Sequence, residues 1–278
     1  MQCKIAARTV LLFGALTLVV GAAPTAGADN LKTITAGSLL VGSDQVYPPY
    51  DYVEDGVTKG FDAEVLAAIA PRLGVKVQFM DTRFANLIPG LQASRFDVIA
   101  SAMYLTPARA KVVDYVAVAK TGGSLMVRAE DNFEPKKPEE LCGKRVANLK
   151  GAAWVPELEK VSQSKCGSNP IDVKEFATSA EAAQALLSRG ADVVFDDSGV
   201  SNAAVVASSG RLKITSTEIL FPVVMGFAVK KGNDELLTRL QAAFAPLKSS
   251  DEYKAILAKY NLALPTDAEV SAALTESE

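Results

Sequence analysis

Strand-like and helix-like segments alternate along this chain in two successive series, and that alternation limits the fold more than any other feature. Short apolar runs interleaved with amphipathic helices pack as sheet strands covered by helices, which is an α/β architecture. In the first series SLLVGSD (38–44) reads as strand and turn, and VKVQFMD (75–81) as a strand. Between them FDAEVLAAIAPRLG (61–74) reads as a helix with Asp62 as N-cap and Gly74 as its stop. FANLIPGLQAS (84–94) follows as a helix with an internal proline, FDVIASAM (96–103) as a strand, PARAKVVDY (107–115) as the start of a helix, and SLMVRAED (124–131) as a strand. The polar, proline-bearing NFEPKKPEEL (132–141) breaks the composition and is expected to carry an inter-domain crossing.

The second series repeats the order. KRVANLKG (144–151) reads as strand into glycine turn, AAWVPELEKVSQSK (152–165) as mostly helix, and DVKEFAT (172–178) as strand. SAEAAQALLSRG (179–190) is a well-bounded helix, ADVVFDD (191–197) a strand and SGVSNAAVVASSG (198–210) a helix. FPVVMGFAVKKGN (221–233) is strand-like and is expected to cross back, ahead of two closing helices at 234–250 and 251–261. In such folds ligands bind at the turns where strand C-termini face a cleft.

Those turns carry the candidate residues. In ASAMYLTPAR (100–109), Thr106 suits an N-cap and Pro107 the first helical position, so Arg109 falls near the third. A cation there opposes the helix dipole by about 0.3–1 kcal/mol. An anion docked at the turn would remove that objection, because a guanidinium forks onto a carboxylate; the plainer reading is a solvated arginine. In Phe195-Asp196-Asp197-Ser198 two carboxylates end an apolar strand. Side chains alternate along a strand, so at most one should face a given cleft wall and suit an ammonium; capping of the next helix is the alternative. VYPPYDY places Tyr47 and Tyr50 in a proline-stiffened loop, and TRFANL adds Phe84. These rings suit an apolar stem or a cation, or else the core, which is the reading adopted for Tyr50. Asp44 either meets a basic ligand tail or caps its turn. Gly151-Ala152-Ala153-Trp154 is a glycine turn opening a helix, with free N–H groups; Trp154, the sole tryptophan, either lines a cleft or is buried.

Nothing here reads as catalytic. The chain has no histidine, so the usual neutral-pH base is missing, and no serine sits in a G-x-S-x-G elbow. No cofactor is expected. A metal is not expected either, since the cysteines lack C-x-x-C spacing.

The N-terminus reads as a secretory leader over 1–28. Lys4 and Arg8 precede a 14-residue apolar run (10–23), and Ala26-Gly27-Ala28 has the form of a cleavage site. A membrane anchor is the alternative, but a span needs about 20 residues. Cys3 lies too early for lipid attachment. Cleavage removes two basic and no acidic residues, taking the net charge from −3 to −5, with no basic run that suggests nucleic acid. The exported chain retains Cys142 and Cys166, an even count that invites a disulfide, with two free thiols as the alternative.

These blocks together resemble the periplasmic amino-acid-binding proteins of ABC transporters, the polar amino acid type of bacterial solute-binding protein family 3. The resemblance rests on VGSDQVYPPYDY, GFDAEVLAAIAPRLGV, LIPGLQASRFDVIASAMYLTPARAKVVDY, ALLSRGADVVFDDS and GFAVKKGNDELLTRLQAAF, and covers about 39–261. It implies the periplasmic binding protein type II fold: two α/β lobes, 29–125 plus 224–278 and 126–223, joined by two hinge crossings around a ligand cleft. It implies a monomeric periplasmic protein that binds a small zwitterionic ligand, an amino acid or derivative, and passes it to an ABC transporter membrane permease. Arg109 would clamp the ligand carboxylate and Asp197 its ammonium. Tyr47 and Phe84 would sandwich the side chain, and Asp44 would face a cationic end. Backbone groups near Ala102 and at Ala153 would complete the contacts. Many relatives have Ser or Thr where this chain has Tyr104, and G-T-T or G-S-T where it has Gly151-Ala152-Ala153. Trp154 falls where the pocket often has a small or amide side chain. A cleft with Tyr47, Phe84, Tyr104 and Trp154 would suit a bulkier derivative, an opine-like conjugate or a cyclic or quaternary zwitterion. An exported cyclohexadienyl dehydratase on the same fold is the rival reading, and a sensory binding module a third.

Overall fold

The computed structural model describes residues 31–275; the leader expected over 1–28 lies outside them. The first lobe begins with β1 (Ser38–Ser43), a small antiparallel sheet of β2 (Val46–Tyr47), β3 (Asp51–Glu54) and β4 (Val57–Lys59), then α1 (Phe61–Leu73) and β5 (Lys76–Asp81). After a 3₁₀ turn (Phe84–Asn86) come α2 (Leu87–Gln92), β6 (Val98–Ile99) and α3 (Pro107–Ala110). The long β7 (Val113–Arg128) leads into β8 (Arg145–Leu149), α4 (Trp154–Lys165), β9 (Asp172–Phe176), α5 (Ser179–Leu187), β10 (Val193–Asp197), α6 (Ser198–Ala207) and β11 (Leu212–Ile214). The chain returns through β12 (Leu220–Lys230) and ends in α7 (Asp234–Lys248), α8 (Asp251–Lys259) and α9 (Asp267–Leu274).

The main sheet runs β5-β1-β6-β12-β7-β10-β8-β9. On one side β5, β1 and β6 are parallel; on the other β10, β8 and β9 are parallel. In each trio the first strand in sequence lies between its two followers, which creates a switch point where the connections diverge. The trios face each other across the antiparallel pair β7 and β12, which joins the two lobes. Helix α1, whose apolar face is Phe61, Val65, Leu66, Ile69 and Leu73, covers the first lobe, and α7 packs against it. The helix stops at Gly74, whose left-handed φ of 68° turns the chain.

β7 pairs β12 through Gly123 and β10 from Gly123 to Met126, so this one strand runs from one trio to the other, while the polar segment 132–141 follows it and precedes β8. A Cβ on Gly123 would stand 2.6 Å from the Phe195 ring, so only glycine lets the strand pass that close to the second lobe. Three expectations about local structure are corrected. FDVIASAM contributes only the two residues of β6, because Ala102 adopts a left-handed φ of 42° and takes the chain off the sheet. α3 is a single turn, since the extended β7 begins three residues after it. The N-cap of α1 is Gly60 and not Asp62, because the buried Asp62 carboxylate turns away to accept the Ala102 N–H at 2.7 Å.

The expected disulfide is present between Cys142 and Cys166, with Cα atoms 5.2 Å apart, and it ties the entry to β8 to the end of α4. α9 was missed, although Thr266 and Glu269 form a capping box that is visible as T-x-x-E. Glu269 pairs with Lys120 on β7 at 2.6 Å. Among the described residues no helix is long and apolar enough to cross a membrane, and no group of three or more His, Cys, Asp or Glu could hold a metal ion.

Candidate ligand site between the lobes

The candidate residues gather where the C-terminal ends of β1, β6, β8 and β10 face one another. Thr106 caps α3, accepting the Arg109 N–H at 3.2 Å, and Pro107 takes the first helical position. This register sets Arg109 at the lobe boundary. Nη1 donates to the Tyr104 carbonyl of its own lobe at 3.0 Å, and Nη2 donates to the Gly151 carbonyl of the other lobe at 3.0 Å. The guanidinium also lies 5.5 Å from the centre of the Phe84 ring. Burial lowers its pKa below the usual arginine value. The dipole objection weakens here, because one helical turn sums few peptide dipoles.

Asp197 ends β10 and caps α6, accepting the Gly199 N–H at 2.8 Å. It is fully buried, and two phenols from the other lobe reach it: Tyr50 at 2.6 Å on Oδ1 and Tyr104 at 2.7 Å on Oδ2. Tyr50 reaches so far because Gly199 has no side chain; a Cβ there would stand 2.6 Å from its hydroxyl. Asp196 is also buried and also meets the first lobe, accepting from Tyr47 at 3.1 Å and from Ser179 at 2.5 Å. Strict alternation allows only one of the pair to face a given wall. Both engage the first lobe because Tyr47 and Tyr50 approach as a pair, with ring centres 5.9 Å apart. Burial pushes the Asp196 carboxyl up to about 6 and raises Asp197, against the opposing pull of their hydrogen bonds. All three phenols are driven well above the tyrosine range, chiefly by burial.

Trp154 opens α4 and is buried, with its ring centre 5.0 Å from Tyr104, 5.2 Å from Phe195 and 6.5 Å from Phe221. Ala153 is the N-cap of α4 and half-buried. Gly151, at φ 79°, gives its N–H to Glu175 at 3.1 Å. Asp44, 1% exposed, is held within its own lobe: Oδ1 pairs with Arg83 at 2.6 Å and Oδ2 accepts the Phe84 N–H at 2.9 Å. Burial raises its pKa while those two partners lower it. The Ala102 N–H is likewise committed, to Asp62. Arg109 borders two cavities. One of about 230 Å³ is lined by Phe84, Ile88, Met103, Gly151 and Glu175. The other, about 900 Å³, is lined by Thr106, Pro107, Ala152, Ala153 and Pro156, with Ala272 of α9 at its edge.

The site therefore brings Tyr47, Phe84, Tyr104, Arg109, Trp154 and Asp197 to one interface, with Ala153 beside it, and directs Asp44 and the Ala102 N–H to partners inside the first lobe. Sequence reasoning missed Ser179 and Asp62, whose hydroxyl and carboxylate serve a neighbour far along the chain, and placed Tyr50 in the core alone.

The family described as bacterial extracellular solute-binding proteins, family 3, matches residues 39–263. The L-arginine-binding protein of Pseudomonas aeruginosa is 26% identical over 261 residues, covering 91% of this chain and 96% of that protein. An ancestral arginine-binding protein solved with arginine superposes with a TM-score of 0.74 at 32% identity, over 81% of this chain and 98% of that one. The ancestral amino acid-binding protein AncCDT-1, a precursor of cyclohexadienyl dehydratase, superposes with a TM-score of 0.68 at 29% identity, over 81% and 95%.

Proposed function

Because this chain belongs to family 3 of the bacterial extracellular solute-binding proteins, we propose that it captures an amino acid or a close derivative between its lobes and delivers it to the membrane permease of an ABC transporter. Its curated relatives are named as binding proteins, and it is a binding protein and not an enzyme. The observation that carries the reading is the convergence of a cation and an anion from opposite lobes. Arg109 of the first lobe reaches Gly151 of the second, and Asp197 of the second is reached by Tyr50 and Tyr104 of the first. Arg109 would take the ligand carboxylate through its forked donors, and Asp197 the ammonium. Tyr47, Phe84 and Trp154 would flank the rest of the molecule, and the Ala153 N–H would assist at the carboxylate. The backbone near Ala102 would contribute through its carbonyl, since its N–H is engaged, and Asp44 would act through Arg83.

We assign residues 29–125 plus 224–278 to the first lobe and 126–223 to the second, with β7 and β12 as the hinge. A ligand held by both lobes binds the closed form better than the open one and shifts the balance toward it, and the closed form is what docks on the permease. The leader over 1–28 directs the chain to the periplasm, where it works as a monomer.

Calorimetric titration of the purified protein with the protein amino acids tests this reading. Saturable binding by at least one, abolished in Arg109→Ala, is the expected result. Binding that survives Arg109→Ala undiminished removes the clamp, and no binding by any zwitterion removes the function.

A further inference from the structure

One residue joins the two charged groups of the site. The Tyr104 carbonyl accepts from Arg109 at 3.0 Å, and its hydroxyl donates to Asp197 at 2.7 Å. Tyr104 thus offers an acceptor to the cation and a donor to the anion, the same polarity that the carboxylate and ammonium of an amino acid would offer. Its backbone is fixed: Leu105 N–H bonds to Val224, Gly226 N–H bonds to Met103, and the Tyr115 hydroxyl donates to the Tyr104 carbonyl. Its ring is 4% exposed and packed on Trp154. Asp197 is close to saturated by Tyr50, Tyr104 and the Gly199 N–H, leaving little room for further donors.

Resting on the reading above, we propose that Tyr104 is a built-in stand-in for the ligand: its phenol occupies the ammonium position on Asp197, latches the lobes together, and must leave before an ammonium-bearing ligand can bind there. A buried carboxylate favours a cation over a neutral hydroxyl, which gives an amino acid the means to displace it. The ring rotates out while the backbone stays, because the hydrogen bonds of its neighbours Met103 and Leu105 to β12 do not involve the Tyr104 side chain. The affinity observed is the intrinsic affinity reduced by the fraction of molecules in which Tyr104 is already displaced. The phenol therefore sets a threshold: compounds carrying a carboxylate but no ammonium cannot repay the lost hydrogen bond and are excluded.

Trp154, the sole tryptophan, reports the latch directly, since it is 1% exposed against Tyr104. In Tyr104→Phe the ring keeps its shape and only the hydroxyl is lost. In the free protein, acrylamide should quench Trp154 more strongly in Tyr104→Phe than in the parent, at unchanged far-ultraviolet circular dichroism. Titrated with the twenty protein amino acids, Tyr104→Phe should bind its best partner about tenfold or more tightly than the parent, the effect of one hydrogen bond to a charged group. Tyr104→Ser, which also clears the ring, should show the same direction. Unchanged quenching in Tyr104→Phe, or affinity equal to or weaker than the parent in both variants, overturns the proposal. If parent and variants alike bind none of the amino acids, the transport reading fails, and the quenching result still decides whether the latch exists.

Discussion

Asp196 offers a test that uses the protein without any ligand. Its carboxyl is 2% exposed and is pushed by burial from 3.8 up to about 6. A carboxyl whose folded pKa exceeds its unfolded value favours folding when protonated. That contribution is complete below pH 4 and is lost as the pH rises through 6. Raising the pKa from 3.8 to about 6 makes the loss about 3 kcal/mol by pH 7–8. Asp196→Asn removes the charge and keeps each hydrogen-bond partner, with the direction of the Ser179 bond reversed. The amide oxygen replaces Oδ1, which accepts from Tyr47 and from the Asp197 N–H, and the amide nitrogen donates to the Ser179 hydroxyl oxygen in place of Oδ2. Urea denaturation of parent and Asp196→Asn at half-unit steps from pH 4 to 8 measures the effect. The stability difference should grow in favour of the variant as the pH rises, reaching up to about 3 kcal/mol at pH 8. Taking the difference at each pH cancels the contribution of Asp62, which burial also pushes to about 6. A difference that stays flat with pH, or that favours the parent increasingly at high pH, refutes the assignment of a costly buried charge to this residue.

Two further outcomes are read from stability alone, with no ligand added. Arg83→Ala leaves the Asp44 carboxylate buried without its cation and should cost about 2–3 kcal/mol, discounted because Arg83 is partly exposed; the loss should deepen with rising pH as Asp44 is forced to ionise, which urea melts at pH 5 and 8 will compare. Cys142→Ser with Cys166→Ser opens the 24-residue loop and should lower stability by about 3 kcal/mol, an effect that vanishes when parent and variant are compared under reducing conditions.

Local chemistry is what the sequence made readable. Thr106 and Pro107 set the phase of Arg109, Gly74 ended α1 and Asp197 capped α6, because each depends on residues within one turn of itself. The composition break at 132–141 is not where β7 passes between the trios, because an apolar strand that pairs with both looks, residue by residue, like a strand that pairs with one. The tips of long side chains were equally hidden. Burial of Tyr50 could be read from its context, but its hydroxyl meets Asp197 across 147 positions, and no local pattern encodes that meeting. The same holds for Asp62, whose partner is the left-handed Ala102 N–H, and for Asp44, which finds Arg83 within its own lobe.

On the lobe division proposed above, the chain enters the second lobe once, along β7, and leaves it once, along β12. Everything between is therefore a single uninterrupted cassette set into a host formed by the two ends. Aromatic contacts such as Trp154 and the carboxylate pair at 196 and 197 belong to the cassette; Arg109 belongs to the host. Recombination at two junctions alone, one in each crossing strand, would transplant an entire wall of the cleft with its pivot intact.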